Sequence, residues 1–148
     1  MTMMIKFGAW GMVFVWILLI YTMTFKEGSE SAELSLTFVY RFDTLLRFIG
    51  IRIEENILHT FVRKSAHVTV YFFLGLWVIN ALSLHHISFK ETMIVGFFIV
   101  LAVASIDETF QLFVEGRHGA LLDVMYDMVG ATLGGGIMLY FKMKRDLL

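Results

Sequence analysis

The sequence contains neither cysteine nor proline. Without cysteine, a disulfide framework, thiol catalysis and a Cys-ligated zinc site are all excluded. Without proline, no helix is expected to carry a proline kink. Charged residues are also scarce, since they make up 17% of the 148 residues while hydrophobic residues make up 58%. A composition this apolar is typical of an integral membrane protein and not of a soluble domain.

The few charges nearly cancel, with a formal net charge of -1. A protein that binds nucleic acid normally presents a basic face, so nucleic acid is not an expected partner. The length predicts one domain, which extends over residues 1–148.

Four long apolar stretches predict four transmembrane helices, so the expected fold class is an all-α membrane helical bundle. A helix of about 20 residues spans the ~30 Å hydrocarbon core of a bilayer. The first stretch is uncharged between Lys6 and Lys26 and lacks a small-residue cleavage site. It is therefore interpreted as an uncleaved anchor and not as a signal peptide. The predicted spans cover about residues 7–25, 65–84, 92–114 and 123–141.

A polar, mixed segment separates the first two spans and is too long to be an unstructured loop. Within it, five apolar residues recur at helical spacing, namely Phe38, Phe42, Leu45, Leu46 and Ile49. This pattern predicts an amphipathic helical segment that lies in the headgroup region of the membrane. A helix that caps the bundle without touching lipid fits the same pattern and remains an alternative.

Basic residues that flank the spans indicate how the chain is oriented in the membrane. Lys142, Lys144 and Arg145 directly follow the last span and favour cytoplasmic termini. The total number of basic residues favours the opposite orientation, but many of them lie in the long first loop. We therefore expect both termini to be cytoplasmic, and the first and third loops to face outward.

The ionisable residues inside the spans crowd toward one end of the predicted bundle. His67 lies near the start of the second span, Asp107 and Glu108 lie near the end of the third, and Asp123 and Asp127 begin the fourth. Because consecutive spans run in opposite directions, these residues fall at the same membrane face. A charge at the bilayer centre costs about 2.5–3.5 kcal/mol on insertion scales, so the convergence predicts a site.

Helical spacing places these residues and their neighbours on shared faces. Spacings of three or four residues group Arg63 with His67 and Tyr71, Gln111 with Asp107 and Glu108, and Asp123 with Asp127. Carboxylates on one stripe repel each other, so we expect them to recruit Arg63, Lys64, Arg117 or a metal ion.

Three interpretations of this cluster remain open at this point. In the first, the acidic and basic groups only pair with each other and pin the helices together. In the second, the basic groups bind the phosphate of a headgroup while the acidic groups bind hydroxyls or amines. The predicted ligand-binding residues are Arg63, Lys64, Tyr71, Gln111, Arg117, Asp123 and Asp127.

The third interpretation is catalytic, with His67, Asp107 and Glu108 as the candidate residues. His67 would act as a general base, and a desolvated carboxyl group would act as an acid. A Mg²⁺ or Mn²⁺ site would use the oxygen ligands of Asp107, Glu108, Asp123 and Asp127. Because no spacing among them is specific for a metal, neither a metal nor another cofactor is predicted.

A run of small residues in the fourth span, Gly130 to Gly136, forms a face suited to close helix packing in lipid. No strand-turn-helix context surrounds these glycines, so a phosphate-binding loop is not predicted.

Three motifs in fixed order resemble those of the VanZ-like family. The first is Arg63-Lys-Ser-Ala-His67, the second is Ser105-Ile-Asp-Glu-Thr-Phe-Gln-Leu-Phe-Val-Glu-Gly-Arg117, and the third is Asp123-Val-Met-Tyr-Asp-Met-Val-Gly130. With the glycines that follow, they extend over about residues 63–136. The chain departs from the family pattern at Val70, where relatives often carry a glutamate.

The resemblance implies a small multi-pass protein of the bacterial cell membrane, with a link to teicoplanin-type glycopeptide resistance. Together with the polar cluster, it leads us to expect a protein that binds or acts on an anionic lipid or lipid-linked ligand at the outer leaflet. Membrane lipids, a lipid-linked cell-wall precursor or a lipoglycopeptide are the expected partners. A membrane enzyme acting on a lipid-linked substrate and a non-catalytic membrane scaffold are the alternatives. The sequence specifies no oligomeric state.

Overall fold

The structure is a computed structural model that describes residues 3–26, 28–117 and 119–146. These residues form five α-helices and no strand. The helices are α1 (Met3–Thr24), α2 (Gly28–Phe48), α3 (Glu55–Leu82), α4 (Phe89–Gln111) and α5 (Leu121–Asp146). All except α2 are long and apolar enough to cross a membrane. The predicted all-α fold with four transmembrane helices is thereby confirmed.

The start of α4 is encoded by a capping box. The Ser88 hydroxyl accepts a hydrogen bond from the Glu91 backbone N–H at 3.2 Å, and the Glu91 carboxylate accepts one from the Ser88 N–H at 2.7 Å. This reciprocal pair satisfies backbone donors that the first helical turn would otherwise leave open. The short turn between α3 and α4 therefore ends at a defined residue.

The helix after the first span is confirmed and is longer than the amphipathic pattern suggested, because α2 begins at Gly28. It ends in a Schellman motif, in which Gly50 has a φ of 82° and the Ile51 N–H donates to the Leu46 carbonyl at 2.9 Å. A left-handed residue at this position is normally glycine, because a Cβ would be strained there.

Much of the apolar stripe of α2 is exposed. Phe38, Leu45 and Ile49 are 62%, 64% and 66% exposed, whereas Val39 on another face is buried. Exposed apolar side chains in such a stripe would be covered by lipid in a membrane. This exposure supports contact with lipid, and the position of α2 in the headgroup region remains a prediction.

α3 is the central helix, since it packs against each of the other four. It runs parallel to α5, and the predicted small-residue face of α5 is confirmed at Gly130 and Gly134. A Cβ at Gly130 would collide with the Val68 carbonyl oxygen, and a Cβ at Gly134 would collide with the Phe72 carbonyl oxygen. The two backbones can approach this closely only because glycine has no side chain.

The order of the helices explains how distant residues meet. The first halves of α3 and α5 lie at the end of the bundle where α1 and α4 finish. His67 and Asp127 lie in those first halves, and Thr24 and Asp107 lie near those last turns. Polar residues from four helices are therefore placed at one end of the molecule.

Candidate functional site

His67 on α3 joins two buried carboxylates from the neighbouring helices. Its Nδ1 lies 3.0 Å from Oδ1 of Asp127 on α5 and 3.9 Å from Oε1 of Glu108 on α4. The Asp127 side chain is fully buried, and Glu108 is 5% exposed. Val70, three residues after His67, carries no carboxylate, and the histidine takes its partners from other helices.

Glu108 is held by two further hydrogen bonds. Its Oε1 accepts from Gln111 Nε2 at 3.1 Å, and its Oε2 accepts from the Ala120 backbone N–H at 2.8 Å. Two buried acceptor atoms beside it, Asp127 Oδ2 and Gln111 Oε1, have no hydrogen-bond partner among the described residues. Since most buried polar side-chain atoms in proteins are paired, these two oxygens need an explanation.

Asp107 is also buried, with 4% of its surface exposed. It accepts hydrogen bonds from the Tyr71 hydroxyl at 3.0 Å and from the Thr24 hydroxyl. Thr24, at the end of α1, was not predicted as a site residue. Its only sequence signal is a hydroxyl near the end of an apolar span, and Thr22 carries the same signal.

Lys64 and Asp123 form a salt bridge with each other. Asp123 is buried, and the Lys64 ammonium lies 5.1 Å from the centre of the Tyr126 ring. Of the three cations expected to neutralise the carboxylates, Lys64 is the one that pairs with a carboxylate in the described part of the chain. The predicted ligand-binding role of this pair remains a prediction, and their mutual contact supports a structural role.

Arg117 contacts main-chain carbonyls instead of the carboxylates. Its Nη2 donates to the Met23 carbonyl at 2.7 Å, and its Nε donates to the Lys26 carbonyl at 3.0 Å. These carbonyls lie at the C-terminal end of α1, where the helix dipole favours a cation. Burial lowers the pKa of Arg117 from its ordinary value, and the positive charge of Arg63 acts in the same direction.

A cavity of about 240 Å³ lies beside these residues, between α1, α2, α3 and α4. Six of the ten predicted site residues line it, namely Arg63, His67, Tyr71, Asp107, Gln111 and Arg117. Glu108 and Asp127 lie behind His67, while Lys64 and Asp123 form their pair away from this lining. Most of the remaining wall is apolar and includes Ile20, Phe38 and Val70.

Arg63 differs from the other charged residues of the site. Its side chain lines the cavity, and among the residues that the structure describes it makes no ion pair and no hydrogen bond. The guanidinium of Arg117, which stays protonated in a protein, lines the same cavity. The cavity therefore combines two guanidinium groups, a carboxylate and a histidine with a mostly apolar wall.

The sequence of the chain was also compared with known proteins. A sequence model of the family described as VanZ/LLP1 matches residues 9–142. The match includes all ten predicted site residues. No curated protein and no solved structure matches the chain.

Proposed function

The chain belongs to the VanZ-like family, and we propose that it is a bacterial cell-membrane protein that binds an anionic lipid or lipid-linked ligand in the cavity beside Arg63. Its four apolar helices make it a multi-pass membrane protein. The observation that carries the proposal is the Arg63 guanidinium, which lines an apolar cavity without an ion pair among the described residues.

The charge of the cavity favours an anion, because Lys26, Arg63 and Arg117 outnumber Asp107 among the charged residues of its lining. Arg63 and Arg117 lie close enough for their positive charges to repel each other. A phosphate or carboxylate placed between them would relieve this repulsion and accept hydrogen bonds from the Arg63 guanidinium. Such bonds are stronger in an apolar setting than in water, because the local dielectric constant is lower.

The size and position of the cavity favour a headgroup with the start of an acyl chain. Its volume of about 240 Å³ corresponds to about eight water molecules at ~30 Å³ each. That space accommodates a small polar headgroup but not a complete two-chain lipid. Phe38 of α2 lines the cavity and is also exposed on the apolar stripe. A ligand that extends past it would pass directly into lipid.

Replacing Arg63 with glutamine is expected to abolish the preference for anionic lipid. Phosphatidylglycerol added to the purified protein in a neutral detergent should raise the melting temperature more than phosphatidylcholine does. A ligand at about 100 times its Kd stabilises the folded state by about 2.7 kcal/mol, which is easily measured. Because Arg63 lacks a partner among the described residues, the Arg63→Gln protein should fold normally and lose only this difference.

Arg52→Gln serves as the control, since Arg52 is exposed and does not line the cavity. An equal response of wild-type protein to both lipids, or an unchanged lipid preference in Arg63→Gln, would contradict the proposal.

We further propose that the bound ligand links the protein to teicoplanin susceptibility, which family membership supports. Expression in a susceptible bacterium should change the inhibitory concentration of teicoplanin, and Arg63→Gln should remove that change.

The outer leaflet is the proposed location of the ligand, because we expect the termini to be cytoplasmic. The chain has no cysteine, so a single introduced cysteine is its only thiol. A membrane-impermeant maleimide added to intact cells should label Glu115→Cys, in the α4–α5 loop, and spare His86→Cys, in the α3–α4 turn. Labelling after lysis controls for the reactivity of both thiols. The reverse pattern would move the cavity to the cytoplasmic leaflet.

An enzyme that acts on a lipid-linked substrate is the second candidate function. The observation that favours it is the hydrogen-bonded pair of His67 and Asp127 at the cavity wall. A carboxylate on Nδ1 orients the imidazole, and Nε2 is then the nitrogen left to exchange a proton with a substrate. Glu108 and Asp107 would serve this reaction as neighbouring acidic groups. Release of a product from a labelled lipid-linked substrate, lost in His67→Gln, would establish the enzyme.

A further inference from the structure

We propose that His67, Glu108 and Asp127 together bind one divalent transition-metal ion. The three side chains come from α3, α4 and α5, and each offers a ligand atom within 4.8 Å of the other two. Both carboxylates are buried, and the histidine is half-buried. The proposal stands independently of the lipid ligand, because all three ligand groups belong to the protein.

The distances between the side chains suit a shared ion. Zinc binds histidine nitrogen and carboxylate oxygen at about 2.0–2.2 Å, so two ligands of one ion lie about 3–3.5 Å apart at tetrahedral or octahedral angles. His67 Nδ1 lies 3.0 Å from Asp127 and 3.9 Å from Glu108. Small side-chain rotations would bring all three groups onto one ion.

Two buried oxygens that lack a partner among the described residues independently favour a cation at this site. Asp127 Oδ2 and Gln111 Oε1 are buried acceptors without a hydrogen-bond partner in the described part of the chain. Asp127 is fully buried, and Gln111 is 1% exposed. Gln111 donates a hydrogen bond to Glu108, so its amide group lies next to one of the three proposed ligands. An acceptor of this kind is satisfied only by a proton donor or a cation.

The charges of the site also favour a divalent ion. Two buried carboxylates are costly in a low dielectric, and neither Glu108 nor Asp127 is paired with a lysine or arginine among the described residues. Lys64 forms its salt bridge with Asp123, and Arg117 donates hydrogen bonds to main-chain carbonyls at the end of α1. An ion of charge +2 would neutralise both carboxylates. The hydrogen bonds from Gln111 and Ala120 to Glu108 then resemble the outer contacts that hold metal-binding carboxylates in place.

The ligand set indicates which metals would bind. An imidazole nitrogen among the ligands suits zinc and its neighbours in the periodic table, whereas magnesium prefers oxygen ligands alone. Three protein ligands leave at least one position open, as in catalytic zinc sites.

The test is a zinc titration of the full chain in detergent, after removal of any polyhistidine tag and treatment with a chelator. We expect one zinc ion per chain by mass spectrometry of the metal, a rise in melting temperature with zinc, and a much smaller rise with magnesium. His67→Gln and Asp127→Asn should weaken zinc binding at least about tenfold. Gln111→Leu, which changes an outer contact, should weaken it by about 10–100-fold.

Two controls separate this site from unspecific binding. His86→Gln and Glu55→Gln change exposed residues outside the cluster and should leave zinc binding unchanged. Absence of saturable zinc binding by the wild-type protein would overturn the proposal, whether or not the variants fold. Wild-type affinity in folded His67→Gln or folded Asp127→Asn would overturn it as well. Loss of lipid preference with zinc binding retained would affect only the proposed function.

Discussion

Replacing Gly134 with alanine is expected to destabilise the bundle, whereas the same change at Gly136 is expected to be tolerated. A Cβ at Gly134 would collide with the Phe72 carbonyl oxygen, and a Cβ at Gly136 would meet nothing within 4 Å. The colliding atom belongs to the backbone of α3, so no side-chain rotation relieves the contact. Overpacking of this kind typically costs about 1–3 kcal/mol.

At Gly136 the change should have the opposite sign. Alanine is favoured over glycine inside a helix by about 0.5–1 kcal/mol, and Gly136 is an exposed helical residue. Both variants can be unfolded in detergent by adding dodecyl sulfate while tryptophan fluorescence is monitored. The two unfolding curves give the difference in the free energy of unfolding. Because the two glycines lie on one helix, they share the helix-propensity effect. An equal loss of stability at both positions would contradict the close approach of α3 and α5.

The same contrast shows what the sequence is able to predict about the fold. Long apolar runs identify the four spans, because spanning a membrane demands length and low polarity whatever the neighbours are. The glycine run in α5 predicts a packing face, but it does not show that Gly134 faces α3 while Gly136 faces outward. That choice depends on the rotation of α5 about its axis, which its neighbours determine. The first turns of α2 were missed because Gly28 to Thr37 is polar and lacks an apolar period.

The candidate site was predictable to the extent that it rests on charged residues inside spans. Such residues are rare enough that their convergence identifies a region, and His67, Glu108 and Asp127 do lie together. Their individual partners were not predictable. Arg63 and Lys64 are adjacent in sequence, yet Lys64 pairs with Asp123 while Arg63 lines the cavity. Adjacent helical residues point about 100° apart, and only tertiary packing decides which one meets the acid.

Partners on the main chain leave even less trace in a sequence. The Met23 and Lys26 carbonyls hold Arg117, and the Ala120 N–H holds Glu108. Nearly every residue type carries these backbone groups, so the identity of the residue does not predict the contact. These contacts attach the α4–α5 loop to α1 and α4, and they therefore shape the cavity without belonging to any recognisable motif.

Asp123 pairs with a lysine, whereas Asp107 is held by hydroxyl groups. Substitutions at the two contacts are therefore expected to differ in their effect on stability. Asp123 is buried in an ion pair with Lys64, so Lys64→Met leaves a buried carboxylate without its cation. Breaking a buried pair from one side typically costs about 3–5 kcal/mol. The double variant Lys64→Met with Asp123→Leu removes both charges and should recover most of that loss. Unfolding in detergent measures all members of this cycle.

Asp107 is expected to behave in the opposite way. Its hydrogen-bond partners are the hydroxyls of Thr24 and Tyr71. Asp107→Asn therefore removes a charge, and no lysine or arginine among the described residues loses an ion-pair partner. An asparagine oxygen still accepts from one hydroxyl, and its amide group donates to the other. The folded protein should therefore persist at the wild-type level in the membrane. The effect on teicoplanin susceptibility should be lost, because position 107 no longer offers a carboxylate to hydroxyl or amine groups of the ligand. If Asp107→Asn instead lost folded protein as severely as Lys64→Met, both acids would serve to pin helices, and the scaffold interpretation would replace the proposed function.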